Sequence, residues 1–188
     1  MSSGKSMHLL ATAHNFQEHS IPFLIVKSSI DTRDVGVVHS RALGDKECII
    51  IAKDDNLYDL ISDYIYHDSI LSGEGLKWIL VDEAQFLTTK QVDELAEIVD
   101  NLSISVICYG LRTDFQTHLF DGSKRLFEIA DTIEEIKSSC YCNRKTIFNA
   151  RIDSNRNIVT NGNQVEVGGD ERYVALCRKC FNERIKKN

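Results

Sequence analysis

No apolar run in the sequence approaches the roughly 20 residues that a helix needs to cross a bilayer, and nothing at its start resembles a secretion signal. These absences lead us to expect a soluble, cytoplasmic protein with no membrane partner. Excess positive charge is missing as well. The formal net charge is −6, whereas a general binder of nucleic acid or of an acidic membrane surface needs a basic face. Nucleic acid is therefore not an expected partner, while a small anionic ligand held by a few placed groups stays compatible with that balance. Proline is scarce: the one in the chain, Pro22, stands at the head of an apolar stretch, where a strand tolerates a missing N–H. What the sequence does have is 43% hydrophobic residues in a length of 188, enough for a sizeable core in one domain with a small appendage.

The stretch that organises the chain is Lys77-Trp-Ile-Leu-Val-Asp-Glu-Ala-Gln-Phe-Leu87. Trp78 to Val81 is an apolar run suited to the middle of a parallel sheet, and Asp82 and Glu83 follow it at once. Acids in that place would sit at the carboxyl end of a buried strand, which is where open α/β sheets bind ligands. A hydrophobic strand closing on Asp is also the second phosphate-and-magnesium element of P-loop enzymes, with Asp82 helping to hold Mg²⁺ and Glu83 facing the substrate. An acid emerging into water is the plain alternative.

Around this strand the pattern alternates. Met7 to Gln17, 54–66 and the segment from the Thr88-Thr-Lys-Gln91 capping box to Leu102 read as helices. The buried stripe of the last is expected to be Val92, Leu95, Ala96, Val99 and Leu102. Ile21–Val26, Cys48–Ala52 and Ile104–Tyr109 read as strands, which predicts a parallel sheet with helices on both faces. Thr132–Cys140, Lys145–Asp153 and Gln164–Val167 read as strands of a β-rich C-terminal lobe. The expected division is 1–131 for the α/β domain and 132–188 for the lobe.

Met-Ser-Ser-Gly-Lys-Ser6 looks like the tail of a Walker A loop. In such a loop backbone N–H groups wrap the phosphates, the lysine reaches the β and γ groups and the serine binds Mg²⁺. Lys5 and Ser6 would play those parts, with Gly4 letting the backbone approach closely and the following helix pointing its N-terminus at the anion. The leading glycine of G-x-x-x-x-G-K-[ST] and the preceding strand are absent, so we expect the sequence to begin late.

Six cysteines are present. Cys48 and Cys108 lie in apolar strand candidates and read as packing residues. Cys140-x-Cys142 and Cys177-x-x-Cys180 offer four thiolates in two close pairs, which is what a tetrahedral Zn²⁺ site requires. In a chain without a secretion signal, metal is favoured over disulfides. With every position filled by protein, the zinc would be structural. Gly162 to Glu171, between the pairs, is a glycine-rich loop placed to close over a ligand, and Tyr173 follows it.

Taken together, Ser3-Gly-Lys-Ser6, Asp31-Thr-Arg33, Val81-Asp-Glu-Ala-Gln-Phe86, Tyr109-Gly-Leu-Arg-Thr-Asp-Phe-Gln116, the two cysteine pairs and Gly168-Gly-Asp-Glu-Arg-Tyr173 resemble the zinc-containing type II thymidine kinases in their bacterial form. The resemblance runs in unbroken order from Met1 to Phe181. It implies a P-loop, RecA-like α/β domain, a zinc lobe with a lasso loop, and ATP-dependent phosphorylation of the 5′-hydroxyl of thymidine or deoxyuridine. It implies Glu83 as general base, with Met1, Ser2, Ser3, Gly4, Lys5, Ser6, Arg33, Asp82, Glu83, Ala84 and Gln85 around the nucleotide and its Mg²⁺. Phe86, Leu111, Phe115, Phe120 and Tyr173, with Met1, would surround the base and sugar. A homotetramer and feedback inhibition by thymidine triphosphate are implied as well. Two other readings stand beside it: an inactive nucleotide-binding remnant lacking its N-terminal strand, and a zinc-ribbon module for nucleic acid, which the acidic balance disfavours.

Overall fold

The computed structural model describes residues 4–31, 36–40, 43–72, 75–165 and 172–186. Met1, Ser2, Ser3, Arg33 and the 166–171 part of the expected lasso loop lie outside them. The chain forms two compact units, one from residues 5–111 and 121–130, the other mainly from 112–120 and the stretch from Asp131 onward.

In the first unit α1 spans Lys5–Glu18, β1 Phe23–Ser28, β2 Val37–Ser40, β3 Gly44–Glu47, β4 Ile49–Ile51 and α2 Leu57–Ser72. They are followed by β5, Trp78–Asp82, a 3₁₀ turn at Ala84–Phe86, α3 at Thr89–Leu102, β6 at Ser105–Cys108 and α4 at Asp121–Ile129. Strands β4, β1, β5 and β6, in that order, make a parallel sheet. Its centre is the apolar run that organises the sequence: Ile79, Leu80 and Val81 are 0% exposed. Side chains on a strand alternate, so a strand buried on both faces must be apolar at successive positions. Ile79 and Val81 pack with Leu57 and Ile61 of α2 and with Val92, Leu95 and Ile98 of α3, while Leu80 joins Ile25 against Leu9, Leu10 and Ala13 of α1. Helices therefore cover both faces, as expected.

The chain leaves β1 for β4 on one side and then crosses to β5 on the other. Such a reversal opens a crevice at the carboxyl ends of the two strands. The register sets Lys27 of β1 beside Asp82 of β5 there.

α3 opens with the predicted capping box: Thr88 Oγ1 accepts from Gln91 N–H and Gln91 Oε1 from Thr88 N–H, both at 3.1 Å. Of its expected stripe, Val92 and Leu95 are buried and Leu102 packs against the same core, while Ala96 is half-buried and Val99 is 37% exposed; Gln91 and Ile98 are buried instead. Buried Glu94 also belongs to this face. Its Oε2 accepts a 2.8 Å bond from Leu57 N–H, the first residue of α2, and Lys90 lies 3.0 Å from its Oε1. An anion at a helix N-terminus satisfies an otherwise orphaned donor. Glu94→Ala is expected to cost about 2 kcal/mol, measured as a lower urea midpoint at unchanged slope.

The antiparallel hairpin β2–β3 and helix α4 were not anticipated. Five of the hairpin's eight strand positions are polar and its strands are four residues each, too short for periodicity to separate from a loop. Cys48 lies between β3 and β4 rather than within a strand, its N–H donating to Gly36 O.

The second unit pairs β7, Phe148–Arg151, with β8, Tyr173–Leu176, antiparallel, and ends in α5, Arg178–Ile185. Its core is Cys140, Ala150, Ile158, Leu176, Cys177, Cys180 and Phe181, with the Phe148 and Phe181 rings 4.9 Å apart. The expected strand 132–140 is irregular apart from one bridge, Ser139 to Lys145. Ile133, one of its two isoleucines, is 55% exposed. Gln164 and Val165 are likewise outside any strand.

Candidate functional site

At the end of β5 the backbone turns sharply. Glu83 takes φ 51° and ψ 39°, the left-handed region, which costs a non-glycine residue about 1–2 kcal/mol. The turn is held by Glu83 N–H to Asp82 Oδ1 at 3.0 Å, Ala84 N–H to Tyr109 O at 2.9 Å and Phe86 N–H to Glu83 O at 3.0 Å. Neighbouring side chains on a straight strand diverge. Here the left-handed residue re-aims Glu83, so that both acids share the field of Lys5.

Lys5 Nζ stands 3.7 Å from Glu83 Oε1, and both side chains are buried. Lys5 opens α1, with Gly4 at φ 75° before it and Ser6, half-buried, after it. A lysine at the N-terminus of a 14-residue helix, facing a carboxyl group across a crevice, is an arrangement that attracts and neutralises phosphate.

The carboxyl group of Glu83 is fixed from its far side. Gln85 Nε2 donates to Glu83 Oε2, and Gln85 Oε1 accepts from Leu111 N–H at 2.9 Å. Leu111 O in turn accepts from Ser123 Oγ of α4 at 2.6 Å. The packing leaves no room for larger residues. A Cβ on Gly110 would meet Gln85 N and Oε1 at 3.1 Å, and one on Gly122 would come within 2.6 Å of Leu87 O and 2.8 Å of Ala84 O. Gly122→Ala must displace α4 or the turn that carries Glu83. A loss of about 2 kcal/mol is expected, with a lower melting temperature and reduced activity as the readouts.

Burial, and then the neighbouring Glu83, raise the Asp82 carboxyl to about 6, against the opposing pull of Lys5, the Glu83 N–H and Lys27. A raised folded-state pKa favours folding below the unfolded value near 4, and that advantage is lost as pH rises through about 6. At pH 7.5 the ionised, buried Asp82 therefore costs nucleotide-free protein about 2–3 kcal/mol. Asp82→Asn, which retains an oxygen to accept from Glu83 N–H, is expected to raise the melting temperature at pH 7.5 in the absence of Mg²⁺ and to leave it almost unchanged at pH 4.

Lys27 was not singled out in the sequence. It is 2% exposed and pairs with the buried Asp31 at 3.2 Å, at the mouth of the same crevice. A lysine interrupting an apolar strand was the available signal.

In the second unit the sulfurs of Cys140, Cys142, Cys177 and Cys180 all lie within 4.8 Å of one another, Cys142 to Cys177 at 3.6 Å. Ligands about 2.3 Å from a tetrahedral Zn²⁺ are about 3.8 Å apart, so the donor set and spacing fit that ion. Cys140 sits in a tight turn, its N–H on Arg144 O and its carbonyl accepting from Asn143 N–H, with Asn143 at φ 62°. Cys177 caps α5, its Sγ accepting from Cys180 N–H at 3.5 Å, and that amide lowers its thiol. Against burial, the amides of Cys142 and Cys177 bring Cys140 down to about 6. By contrast, burial pushes Cys108 of β6 up to about 12, as suits a packing residue.

Of the residues expected around base and sugar, Phe86 ends the 3₁₀ turn and Leu111 follows β6, both in the first unit. Phe115 and Phe120, 3% and 6% exposed, and half-buried Tyr173 on β8 belong to the second.

The thymidine kinase family model matches residues 1–181. A thymidine kinase of Zymomonas mobilis is 44% identical over 98% of this chain and 93% of its own length. One from Pasteurella multocida is 43% identical over 98% and 94%. One from Enterobacteria phage T4 is 43% identical over 100% and 94%. None of these relatives lends support to an inactive remnant. The crevice at the end of β5 and the four-cysteine cluster thus stand in a chain matched along nearly its whole length, and the chain belongs to the thymidine kinase family.

Proposed function

We propose that the chain transfers the γ-phosphate of ATP to the 5′-hydroxyl of thymidine or deoxyuridine, supplying nucleotide for DNA synthesis. The observation that carries this reading is the 3.7 Å approach of Lys5 to Glu83 in a buried crevice at the end of β5, together with the family to which the chain belongs.

In this reading Glu83, as carboxylate, accepts the proton of the attacking hydroxyl. Gln85 and the left-handed backbone keep it aimed. Lys5, with the N–H groups at the start of α1, takes the charge of the phosphates, and Arg33 is assigned by the family resemblance to the transferred group. Ser6 and Asp82 would hold Mg²⁺, which balances charge on the triphosphate when bound. Bringing a cation to Asp82 also removes the cost of burying it ionised. Ala84, Gln85, Gly4 and Met1 to Ser3 complete the nucleotide side. Phe86 and Leu111 of the first unit, and Phe115, Phe120 and Tyr173 of the second, are the residues we assign to contacts with a small flat base and its sugar. The four cysteines would hold structural Zn²⁺. The α/β domain expected at 1–131 serves the nucleotide and the lobe expected at 132–188 the zinc, with residues 112–120 grouped in the second unit. A cytoplasmic homotetramer, inhibited by thymidine triphosphate, completes the proposal, and no described helix is long and apolar enough to cross a membrane.

The test is a panel of thymidine, deoxyuridine, deoxycytidine and deoxyguanosine with ATP and Mg²⁺. Monophosphates from the first two alone are expected. Turnover of purine nucleosides, or of none of the four, contradicts the proposal.

A further inference from the structure

Arg151 ends β7 and is 3% exposed, so a permanent cation lies inside the second unit. Its guanidinium carbon is 3.8 Å from the centroid of the Phe115 ring and 5.7 Å from that of Tyr173. Tyr173 is its register partner across the β7–β8 ladder, so the two project from one face. Nη2 donates to the carbonyls of Asn163 at 2.9 Å and Gln164 at 3.4 Å. Gln164 reaches back to the segment that carries Phe115: its Nε2 donates to Asp114 Oδ2 at 3.0 Å, and Asp114 Oδ1 accepts from Gln116 and His118 N–H at 2.9 and 3.0 Å. On a further side, a Cβ at Gly162 would stand 3.3 Å from Nη1.

Burying a charge costs several kcal/mol, and a hydrophobic side chain of like volume commonly stabilises as well or better. What the arginine adds is a flat fork that stacks on a ring and donates in its own plane at once. Both rings within its reach are the aromatic walls assigned above to the nucleoside.

We propose that Arg151 is a positioning residue for nucleoside recognition, holding the Phe115 ring and the Tyr173 side chain in the planes against which the base packs. This rests on the placing of Phe115 and Tyr173 in the nucleoside pocket. It makes no demand on Lys5 or Glu83, so its signature is a defect in thymidine affinity with ATP handling intact.

The experiment compares full-length, zinc-loaded parent, Arg151→Met and Arg151→Lys by steady-state kinetics in both substrates, with zinc content and melting temperature measured alongside. KM for thymidine is expected to rise about ten-fold or more in Arg151→Met, with KM for ATP and kcat at saturating thymidine within about two-fold of the parent. Arg151→Lys restores little, because a point charge neither stacks flat nor holds two carbonyls. Should Arg151→Met fail to fold or lose its zinc, Arg151→Lys decides by the same split. A thymidine KM at the parent's value in the folded variants, or a fall in kcat alone, overturns the proposal and leaves Arg151 a purely structural group. An active parent beside parent-like variants removes this inference only, whereas a parent that phosphorylates no pyrimidine deoxynucleoside removes the proposed function and this inference with it.

Discussion

Glu83→Gln is expected to lower kcat for thymidine phosphorylation by about 10³-fold or more, at the upper end of what a positioned general base contributes. The substitution keeps an oxygen for the Gln85 amide and nearly the same volume, and so changes little else in the turn. Melting temperature, zinc content and ATP affinity should stay close to the parent's. ATP affinity is the informative control: Lys5 loses its carboxylate neighbour at 3.7 Å and becomes, if anything, a better phosphate ligand. A variant that keeps the parent's kcat would remove Glu83 from the chemistry. One that loses affinity for ATP with kcat intact would make it a ligand rather than a base.

The second large effect concerns the metal. Among the described residues, the buried cluster around β7, β8 and α5 joins Ala150, Ile158, Leu176 and Phe181 to three cysteines, Cys140, Cys177 and Cys180. So small a core does not offset the conformational entropy of the chain that it orders. Structural zinc sites contribute on the order of 10 kcal/mol to folding at neutral pH. Chelation, or Cys177→Ser, is therefore expected to unfold the β7–β8 ladder and α5 and to abolish thymidine binding. The parallel sheet, whose core contains none of these cysteines, keeps its far-UV signal. Hydrogen exchange resolves the two outcomes: fast exchange in 145–153 and 173–185 with slow exchange in β1 and β5. Full activity in a chelated, metal-free sample contradicts the structural role.

The parts of the fold that could be read from the sequence are those with a strong period or a local signature. Trp78 to Val81 could hardly be anything but a central strand, and Thr88 with Gln91 specified the start of α3 by itself. The 132–140 segment misled because isoleucines set among polar residues read as a strand, although Ile133 and Ile136, three apart, fall on opposite faces of one, and a ladder also needs a neighbour with free edge groups. α5 went unread because its eight residues are mostly polar and its start is a cysteine cap, seen in the sequence only as a metal ligand. At the site, residue types were legible and geometry was not. That Asp82 and Glu83 both face Lys5 depends on a left-handed glutamate, and no pattern announces φ 51° at a non-glycine position. Lys27 and Arg151 escaped notice for a shared reason. A single charge inside an apolar or alternating strand reads as an interruption, and only the fold shows that each has partners waiting: Asp31 for the first, Phe115 and two carbonyls for the second.

The claim on which the rest depends is that Lys5 and Glu83 attend one phosphoryl transfer to a nucleoside. Rapid-quench mixing of the zinc-loaded chain with γ-labelled ATP, Mg²⁺ and thymidine follows that transfer in a single turnover. Label is expected to appear in thymidine 5′-monophosphate in step with ADP, and in no product when Glu83 is glutamine. ADP released with the label in free phosphate alone, or labelled thymidine monophosphate formed at the parent's rate by Glu83→Gln, would contradict it.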